Sequence, residues 1–261
     1  MAFLTCRFFS EALATGVAVN VLLPQPTQAQ IGMKGVAVAE EAPVLYLLHG
    51  ISDDESTWMR RTSIERYAAA AGLAVVMPGC GRSFYADLLH GPKYWTYLSE
   101  ELPRVMHSFF RFSTRREDTF VAGLSMGGYG AMKLALRHPE RFAAAASFSG
   151  ALDPLHLKAL WKPHYDAEFA DIFGDEARFL GSDNDLFALA ERRAAEKTAL
   201  PRLFLTCGTE DALLSDTRRF RDHLARLGIG YAYDDCPGVH EWGLWDRKVS
   251  EAIEWFGKPR Q

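Results

Sequence analysis

The sequence has little of several features that mark particular classes of protein. Only four of its 261 residues are cysteine, and they are scattered with no C-x-x-C pair, which favours buried free thiols in a reducing compartment. Its formal net charge is −4, so no basic field attracts nucleic acid or anionic lipid. No run approaches the roughly 18 apolar residues that a membrane-spanning helix needs. We therefore expect a cytoplasmic protein with no nucleic-acid or membrane partner.

The first residues also lack the layout of a secretory signal. Arg7 and Glu11 interrupt the apolar residues, and no clear basic region precedes an apolar one. Two β-like runs, residues 3–10 and 16–23, flank a short turn-prone stretch and predict an antiparallel pair of strands. We therefore interpret this segment as two strands, followed by a loop or hairpin over residues 24–41.

Farther along the chain, short apolar runs alternate with helix-like stretches. This alternation is typical of βαβ units and predicts an α/β fold with a mainly parallel sheet and helices on both faces. Runs such as Val44-Leu-Tyr-Leu-Leu48 are continuously apolar, as strands buried on both faces should be. The length and the 48% hydrophobic content fit a single domain over residues 1–261. The predicted parallel strands are residues 44–48, 73–77, 119–122, 143–148, 203–206 and 230–233.

Residues 151–200 break this alternation. The segment is rich in aromatic side chains, and it is too long to be an ordinary connection inside a compact domain. We expect a small helical insertion with a function such as that of a lid.

The segment Gly123-Leu-Ser125-Met-Gly127 fits the motif G-x-S-x-G and lies between a predicted strand and a predicted helix, as the motif requires. Glycines on both sides of Ser125 remove the Cβ atoms that would clash in so tight a turn. The hydroxyl is then exposed beside the free N–H groups of the new helix. The same pattern also occurs by chance in simple strand-to-helix turns. A Rossmann interpretation is weaker, because no G-x-G-x-x-G begins here.

A serine hydroxyl needs a neutral imidazole to take its proton. His240 is the best of the eight histidines, because it follows the last predicted strand and precedes the C-terminal helix. We interpret His138 and His223 as structural, since they lie at the end of a helix and within one. Four further histidines follow no predicted strand and are interpreted as surface or lid residues: His90, His107, His156 and His164.

The imidazole in turn needs a buried carboxylate that fixes its tautomer. Asp211 follows the predicted strand at residues 203–206, whereas Glu210 and Asp153 are alternative acids. Taken alone, Asp211 could equally be the N-cap of the next helix. Together with Ser125 and His240, however, it gives the order Ser, Asp, His of α/β-hydrolases. We therefore predict these three residues as a catalytic triad.

Acyl transfer also needs two N–H donors aimed at the substrate oxygen. We predict the backbone N–H groups of Ile51 and Met126, the first because it follows a His-Gly turn at the end of a central strand and the second because it follows the nucleophile. His49 is expected to support its loop by hydrogen bonding. Several aromatic residues near these loops are candidates for substrate contact, although most aromatics in such proteins are core. These are Trp58, Tyr85, Trp95, Trp242 and Trp245.

The sequence resembles the esterase D-like branch of α/β-hydrolases, in particular the tributyrin esterase and cinnamoyl esterase group, which is related to S-formylglutathione hydrolase. The resemblance covers nearly the whole chain. It implies hydrolysis of short-chain acyl or hydroxycinnamoyl esters without cofactor or metal, usually in the cytoplasm and often from a homo-oligomer. It implies the same triad and the same oxyanion donors. The motifs that carry it are Leu-Leu-His-Gly-Ile-Ser-Asp-Asp, Ala-Gly-Leu-Ser-Met-Gly-Gly-Tyr-Gly-Ala, Cys-Gly-Thr-Glu-Asp and His-Glu-Trp-Gly-Leu-Trp.

Three enzymatic alternatives share these motifs. An S-formylglutathione hydrolase has a Thr-Cys pair soon after His-Gly, whereas this chain has Ser52-Asp53-Asp54, which weakens that interpretation. Another thioesterase or an acyltransferase would use the same triad. A noncatalytic binding module is disfavoured, because all three triad positions are filled.

Overall fold

The centre of the molecule is one mixed sheet. The computed structural model describes residues 1–27, 29–32, 35–36, 41–161 and 163–258. Its strands are β1 (Ala2–Ser10), β2 (Thr15–Leu23), β3 (Val44–Leu48), β4 (Ala74–Pro78), β5 (Thr119–Leu124), β6 (Ala144–Phe148), β7 (Arg202–Gly208) and β8 (Ala232–Cys236). They lie in the order β1-β2-β4-β3-β5-β6-β7-β8. β1 with β2 and β2 with β4 are antiparallel, and all other neighbours are parallel. The predicted α/β architecture with an N-terminal antiparallel pair is confirmed.

Burial explains where the sequence signal for strands was strong and where it was weak. β3 and β4 are buried along their whole length, as their continuous apolar runs predict. β8 is only half-buried, and its ladder with β7 begins at Ala232, two residues later than predicted. The predicted loop over residues 24–41 falls partly outside the described residues. The part of it that the structure describes contains no helix or strand.

Helices cover both faces of the sheet. They are α1 (Thr57–Arg61), α2 (Ile64–Ala71), α3 (Tyr94–Thr96), α4 (Leu102–Phe109), α5 (Met126–Arg137), α6 (Pro154–Leu160), α7 (His164–Phe173), α8 (Glu176–Phe179), α9 (Leu186–Ala195), α10 (Leu214–Arg226) and α11 (Trp242–Phe256), with a π-helical turn at Tyr97–Glu101 and a 3₁₀ turn at Arg116–Asp118. Because side chains alternate along a strand, β3 contributes side chains to two hydrophobic cores, one on each face of the sheet. Leu45 and Leu47 enter the core under α11, and Tyr46 enters the core that contains the side chains of α5.

Residues 151–200 hold four of these helices, α6 to α9. Most aromatic side chains of this insertion are buried. Phe169, Phe173 and Phe179 contact one another, with ring centroids 5.1 to 5.5 Å apart, and Phe173 also contacts Phe84. Trp161 differs from them, because 42% of it is exposed. The aromatic richness of the segment therefore reflects a local core, with one indole left on the outside.

In the ranges that the structure describes, no helix is at once long enough and apolar enough to cross a bilayer.

Candidate active site

Ser125 lies at the sharp turn between β5 and α5. Its φ of 52° falls in the left-handed region that residues with a side chain rarely adopt. Backbone hydrogen bonds hold it there: the Ser125 N–H donates to the Phe148 carbonyl at 2.9 Å, and the Ser125 carbonyl accepts from the Ala151 N–H at 3.0 Å. This strained strand-to-helix turn is what G-x-S-x-G predicts.

Gly123 and Gly127 permit the turn because backbone segments approach each other there. A Cβ atom on Gly123 would lie 2.4 Å from the Gly127 carbonyl, and one on Gly127 would lie 2.4 Å from the Leu48 carbonyl. Such distances are far inside van der Waals contact, so a side chain at either position would displace the turn that carries Ser125.

Asp211 and His240 form a hydrogen-bonded pair beside this turn. Asp211 lies in the connection from β7 to α10, and His240 lies in the connection from β8 to α11. The His240 Nδ1 and the Asp211 Oδ2 are 2.9 Å apart; the carboxylate is fully buried, whereas 36% of the imidazole is exposed. The other carboxylate oxygen accepts from the Leu213 N–H at 2.8 Å. With Nδ1 as the donor, Nε2 of a neutral His240 is left as a proton acceptor.

The surroundings keep Asp211 ionised. Burial raises the pKa of this carboxyl, but the hydrogen bond and charge of His240, the Leu213 N–H and the Ser149 hydroxyl together outweigh it, so the pKa falls below its ordinary value. A carboxylate that stays charged at neutral pH can stabilise a positively charged imidazole.

One cavity of about 680 Å³ brings the three predicted triad residues together, since Ser125, Asp211 and His240 all line it. This volume lies within the roughly 300–1,000 Å³ that small-molecule sites occupy. A cavity of about 710 Å³ near Leu200 and Ile229 has no histidine, serine or carboxylate in its lining. Within the described residues, no cluster of His, Cys, Asp and Glu side chains is arranged to hold a metal ion.

The loop after β3 forms another wall of this cavity through Ile51. Hydrogen bonds with Asp53 and His49 hold the backbone of this loop. The Gly50 N–H donates to the Asp53 carboxylate at 3.1 Å, and the Gly50 carbonyl lies 2.7 Å from Nδ1 of His49. The Cys80 N–H donates to Nε2 of the same imidazole at 2.9 Å. Burial lowers the pKa of His49, so the ring is neutral and supports the loop by hydrogen bonding, as predicted.

Of the two residues predicted to supply N–H donors, one directly follows Ser125 and the other lines the same cavity. Met126 is the first residue of α5, where backbone N–H groups have no acceptor inside the helix. Ile51 lines the same cavity as Ser125. The positive end of the α5 dipole adds to the attraction of a negatively charged oxygen at this place.

Trp242 lines the cavity, and so does Trp245. Trp58 and Trp95 do not line it, and their prediction as substrate contacts needs correction. Trp58 is buried under the site, where its Nε1 donates to the Leu48 carbonyl at 3.0 Å. Trp95 lies elsewhere, stacked on the His138 ring with centroids 5.6 Å apart and covered by the Arg137 guanidinium.

Tyr85 is also absent from the lining of the cavity. Its ring is buried, and its hydroxyl donates to the His49 carbonyl at 2.7 Å. Tyr85 therefore stabilises the loop after β3 through this hydrogen bond.

The alternative acids have other partners. The Glu210 carboxylate accepts from the Gly238 N–H at 2.7 Å, and the Glu210 N–H donates to the Gly238 carbonyl at 3.1 Å. These bonds tie the loop of His240 to the loop of Asp211. Asp153 caps α6 and pairs with Arg219 at 2.9 Å. Sequence reasoning weighed Glu210 only as an acid and missed this loop contact.

Sequence reasoning also missed Ser149. It follows β6 directly, is fully buried and has a φ of 47°. Its Oγ accepts a hydrogen bond from the Trp245 indole at 3.1 Å. The available signal was its position, because it follows the strand that lies between those of Ser125 and Asp211.

Comparison with known proteins adds a family and several relatives. The Esterase family model matches residues 10–256. An acetyl esterase from Caldicellulosiruptor saccharolyticus is 30% identical over 264 residues, covering 99% of each chain. Among solved structures, a fluorophosphonate-binding serine hydrolase of Staphylococcus aureus, with substrate bound, is 33% identical with a TM-score of 0.89 over 99% of each chain. An S-formylglutathione hydrolase from the same organism is 34% identical, with a TM-score of 0.85 over 98% of each chain.

Proposed function

Since this chain belongs to the esterase family and is a serine hydrolase with the α/β-hydrolase fold, we propose that it hydrolyses short-chain acyl or hydroxycinnamoyl esters through an acyl-enzyme on Ser125. One observation carries the assignment of residues. His240 and Asp211 are hydrogen-bonded at 2.9 Å in the cavity that Ser125 also lines. The similarity to an acetyl esterase supports a short acyl group.

In the proposed mechanism, Nε2 of His240 takes the proton of Ser125 as the serine oxygen attacks the ester carbonyl carbon. The tetrahedral intermediate collapses, the imidazolium gives its proton to the departing alcohol, and the acyl group stays on Ser125. A water molecule, deprotonated by His240, then attacks the acyl carbonyl, and the acid leaves as the proton returns to the serine oxygen. Throughout, the Asp211 carboxylate orients the imidazole and stabilises its charged form.

We assign the oxyanion hole to the backbone N–H groups of Ile51 and Met126. Negative charge develops on the carbonyl oxygen in both tetrahedral intermediates, and each donor of this kind is worth about 10²-fold to 10³-fold in rate. The hydrogen bonds of His49 and Asp53 to the Gly50 backbone support this assignment, because they hold the loop that presents the Ile51 N–H.

The insertion at residues 151–200 is our candidate for a lid. Its partly exposed Trp161 directly follows α6 and lines the same cavity as Trp242, Trp245 and Ser125. An indole at that place would cover the apolar part of a bound ester. We further propose that residues 1–261 form one domain and that the protein is cytoplasmic. The four free cysteines support a reducing compartment.

The test is a substrate panel with wild type and Ser125→Ala. We expect kcat/KM to favour acetyl, butyryl or feruloyl esters over octanoyl esters, and to fall by at least about 10³-fold in the variant, because the nucleophile is gone. Ser108→Ala, at an exposed serine on α4, is the matched control and should keep full activity.

Each other outcome has a definite meaning. Retained activity in Ser125→Ala would refute the mechanism. If S-formylglutathione, included in the panel, exceeded every ester by orders of magnitude, the thioesterase alternative would replace ester hydrolysis. If turnover required an added alcohol acceptor, the protein would be an acyltransferase.

A further inference from the structure

Ser149 occupies the middle of a row of four residues. β5, β6, β7 and β8 are neighbours in the sheet and run parallel, so their carboxyl ends meet at one edge. The connections that follow them carry Ser125, Ser149, Asp211 and His240 in the same order. Three of these four are the proposed triad, and Ser149 has no assigned function.

The backbone of Ser149 is held in a conformation that costs free energy. Its φ is 47°, and its N–H donates to the Thr206 carbonyl at 2.8 Å, which fixes it against β7. Conformations of this kind persist only where the surroundings enforce them, and they cluster at functional sites. The side chain is fully buried, so its hydroxyl must find its partners within the protein.

The partners of this hydroxyl follow from donor and acceptor chemistry. The Trp245 Nε1 lies 3.1 Å from the Ser149 Oγ, and an indole N–H can only donate, so the hydroxyl is the acceptor in that bond. Its own proton is therefore available to an acceptor. The Ser149 hydroxyl acts to lower the pKa of both the Asp211 carboxyl and the Cys207 thiol, which makes both of them candidate acceptors. An ionised carboxylate is the stronger acceptor, which directs the proton to Asp211.

Trp245 connects the same hydroxyl to the base. Its buried ring meets the His240 ring edge to face, with centroids 4.8 Å apart and an interplanar angle of 84°. The bond to Ser149 fixes the rotation of this indole, and the indole limits the rotation of the imidazole. The Ser149 hydroxyl thus acts on the pKa of the acid and reaches the base through a single ring.

We propose that Ser149 is a positioning residue that sets Asp211 and His240 relative to each other. It does not line the cavity and touches no reacting atom. The proposal rests on the proposed function, because positioning matters only if Asp211 and His240 act on Ser125.

Ser149→Ala tests it, because the variant removes the acceptor of the Trp245 N–H and the proton that we assign to Asp211, and keeps the Cβ atom. We expect kcat to fall about 10-fold to 10²-fold with little change in KM, since a displaced base affects the reaction more than binding. The acid limb of kcat/KM should also move to higher pH. Without the donor from Ser149, the pKa of the Asp211 carboxyl rises.

Trp245→Phe separates the two bonds. It removes the N–H and keeps an aromatic ring beside His240, while the Ser149 hydroxyl still donates to Asp211. We expect a smaller loss of kcat than in Ser149→Ala and an unmoved acid limb. An acid limb that moves equally in both variants would contradict the assignment of the Ser149 proton to Asp211.

Ser147→Ala is the matched control. Ser147 is a buried serine of β6 whose Oγ has no hydrogen-bond partner among the described residues, so its loss should leave the pH profile unchanged. If Ser149→Ala unfolds, Ser149→Gly replaces it, because glycine adopts the positive φ without strain and also lacks the hydroxyl.

The result that overturns the proposal is a Ser149 variant with the kcat and the pH profile of Ser147→Ala. In that case, inactive Ser125→Ala and Asp211→Asn variants would show that the proposed function stands and only the inference about Ser149 fails. Active Ser125→Ala and Asp211→Asn variants would instead refute the proposed function itself.

Discussion

Two histidine–aspartate pairs in this molecule have nearly the same dimensions. His240 and Asp211 are 2.9 Å apart, and His156 and Asp216 are 2.5 Å apart. In both pairs the carboxylate is fully buried, and the imidazole is about one-third exposed, 36% in the first and 31% in the second. From distance and burial alone, either pair could be the acid and base of a hydrolase.

Their surroundings separate them. Hydrogen bonds to both oxygens of Asp211 outweigh its burial and lower its pKa. At Asp216, burial and the nearby Asp153 outweigh His156 and raise the pKa, and Oδ2 of Asp216 has no hydrogen-bond partner in the part of the chain that the structure describes. His156 links α6 to α10 and does not line the cavity of Ser125. A catalytic pair therefore needs a nucleophile, an open cavity and a carboxylate whose charge is fully supported.

Removing the charge from each carboxylate gives the largest contrast. We expect Asp211→Asn to lower kcat by about 10⁴-fold, because the amide favours the wrong imidazole tautomer. Asp216→Asn should leave kcat within about 2-fold of wild type, because its histidine takes no part in the reaction. Steady-state kinetics on one short-chain ester measures both. Equal losses would show that His156 also serves the reaction.

A smaller effect should follow from a contact that only the first pair has. Glu210→Ala removes the acceptor of the Gly238 N–H and loosens the loop of His240. We expect kcat to fall about 10-fold, because small displacements of a base reduce the rate. Glu210→Gln keeps an acceptor oxygen and should restore most of the rate. Glu254→Gln, at an exposed glutamate on α11, is the control for charge alone; a loss of equal size there would exclude the loop contact as the cause.

The smallest effect concerns stability, where the two carboxylates should have opposite pH dependence. The folded-state pKa of Asp211 is lowered, so its contribution is fully present above the unfolded pKa of about 3.9 and is lost as the pH falls. The folded-state pKa of Asp216 is raised, so its contribution is present below about pH 4 and is lost as the pH rises through the folded pKa.

Urea unfolding of wild type, Asp211→Asn and Asp216→Asn between pH 3 and 7 measures this contrast. We expect the difference in unfolding free energy from wild type to grow with pH for the first variant and to shrink with pH for the second, each on the order of 1 kcal/mol. Parallel curves for the two variants would mean that the two carboxylates have the same environment in solution.

Much of this arrangement could be predicted from sequence, because it depends on local patterns. Continuous apolar runs predicted β3 and β4, and the two glycines around Ser125 predicted the turn. The positions of Asp211 and His240 followed from their places after strands, since parallel strands bring such places to one edge. The predicted start of β8 was two residues too early, because this half-buried strand has a weaker hydrophobic pattern.

What could not be predicted depends on contacts between distant segments. Trp58 and Trp95 occur in the sequence near loops that were predicted to form the site, but packing sets the direction of a side chain. Trp58 is buried against the Leu48 carbonyl, and Trp95 is stacked on His138 instead of lining the cavity. His156 was interpreted as a surface or lid residue because it follows no predicted strand. Its pairing with Asp216 could not be predicted, since Asp216 lies on another helix. Ser149 stands in an unremarkable Phe-Ser-Gly sequence, and only the strand order shows what lies on either side of it.

The position of β8 at the far end of the parallel strands has a consequence for biosynthesis. The ribosome completes β5 and its serine turn well before it makes the segment that carries His240 and Trp245. On the proposed mechanism, a nascent chain holds the Ser125 hydroxyl without its base, so cellular esters cannot acylate it before His240 has been made. On the same mechanism, activity requires β8 and α11 to dock onto the rest of the fold. The recovery of activity during refolding therefore reports the rate of this last step and not the rates of earlier steps.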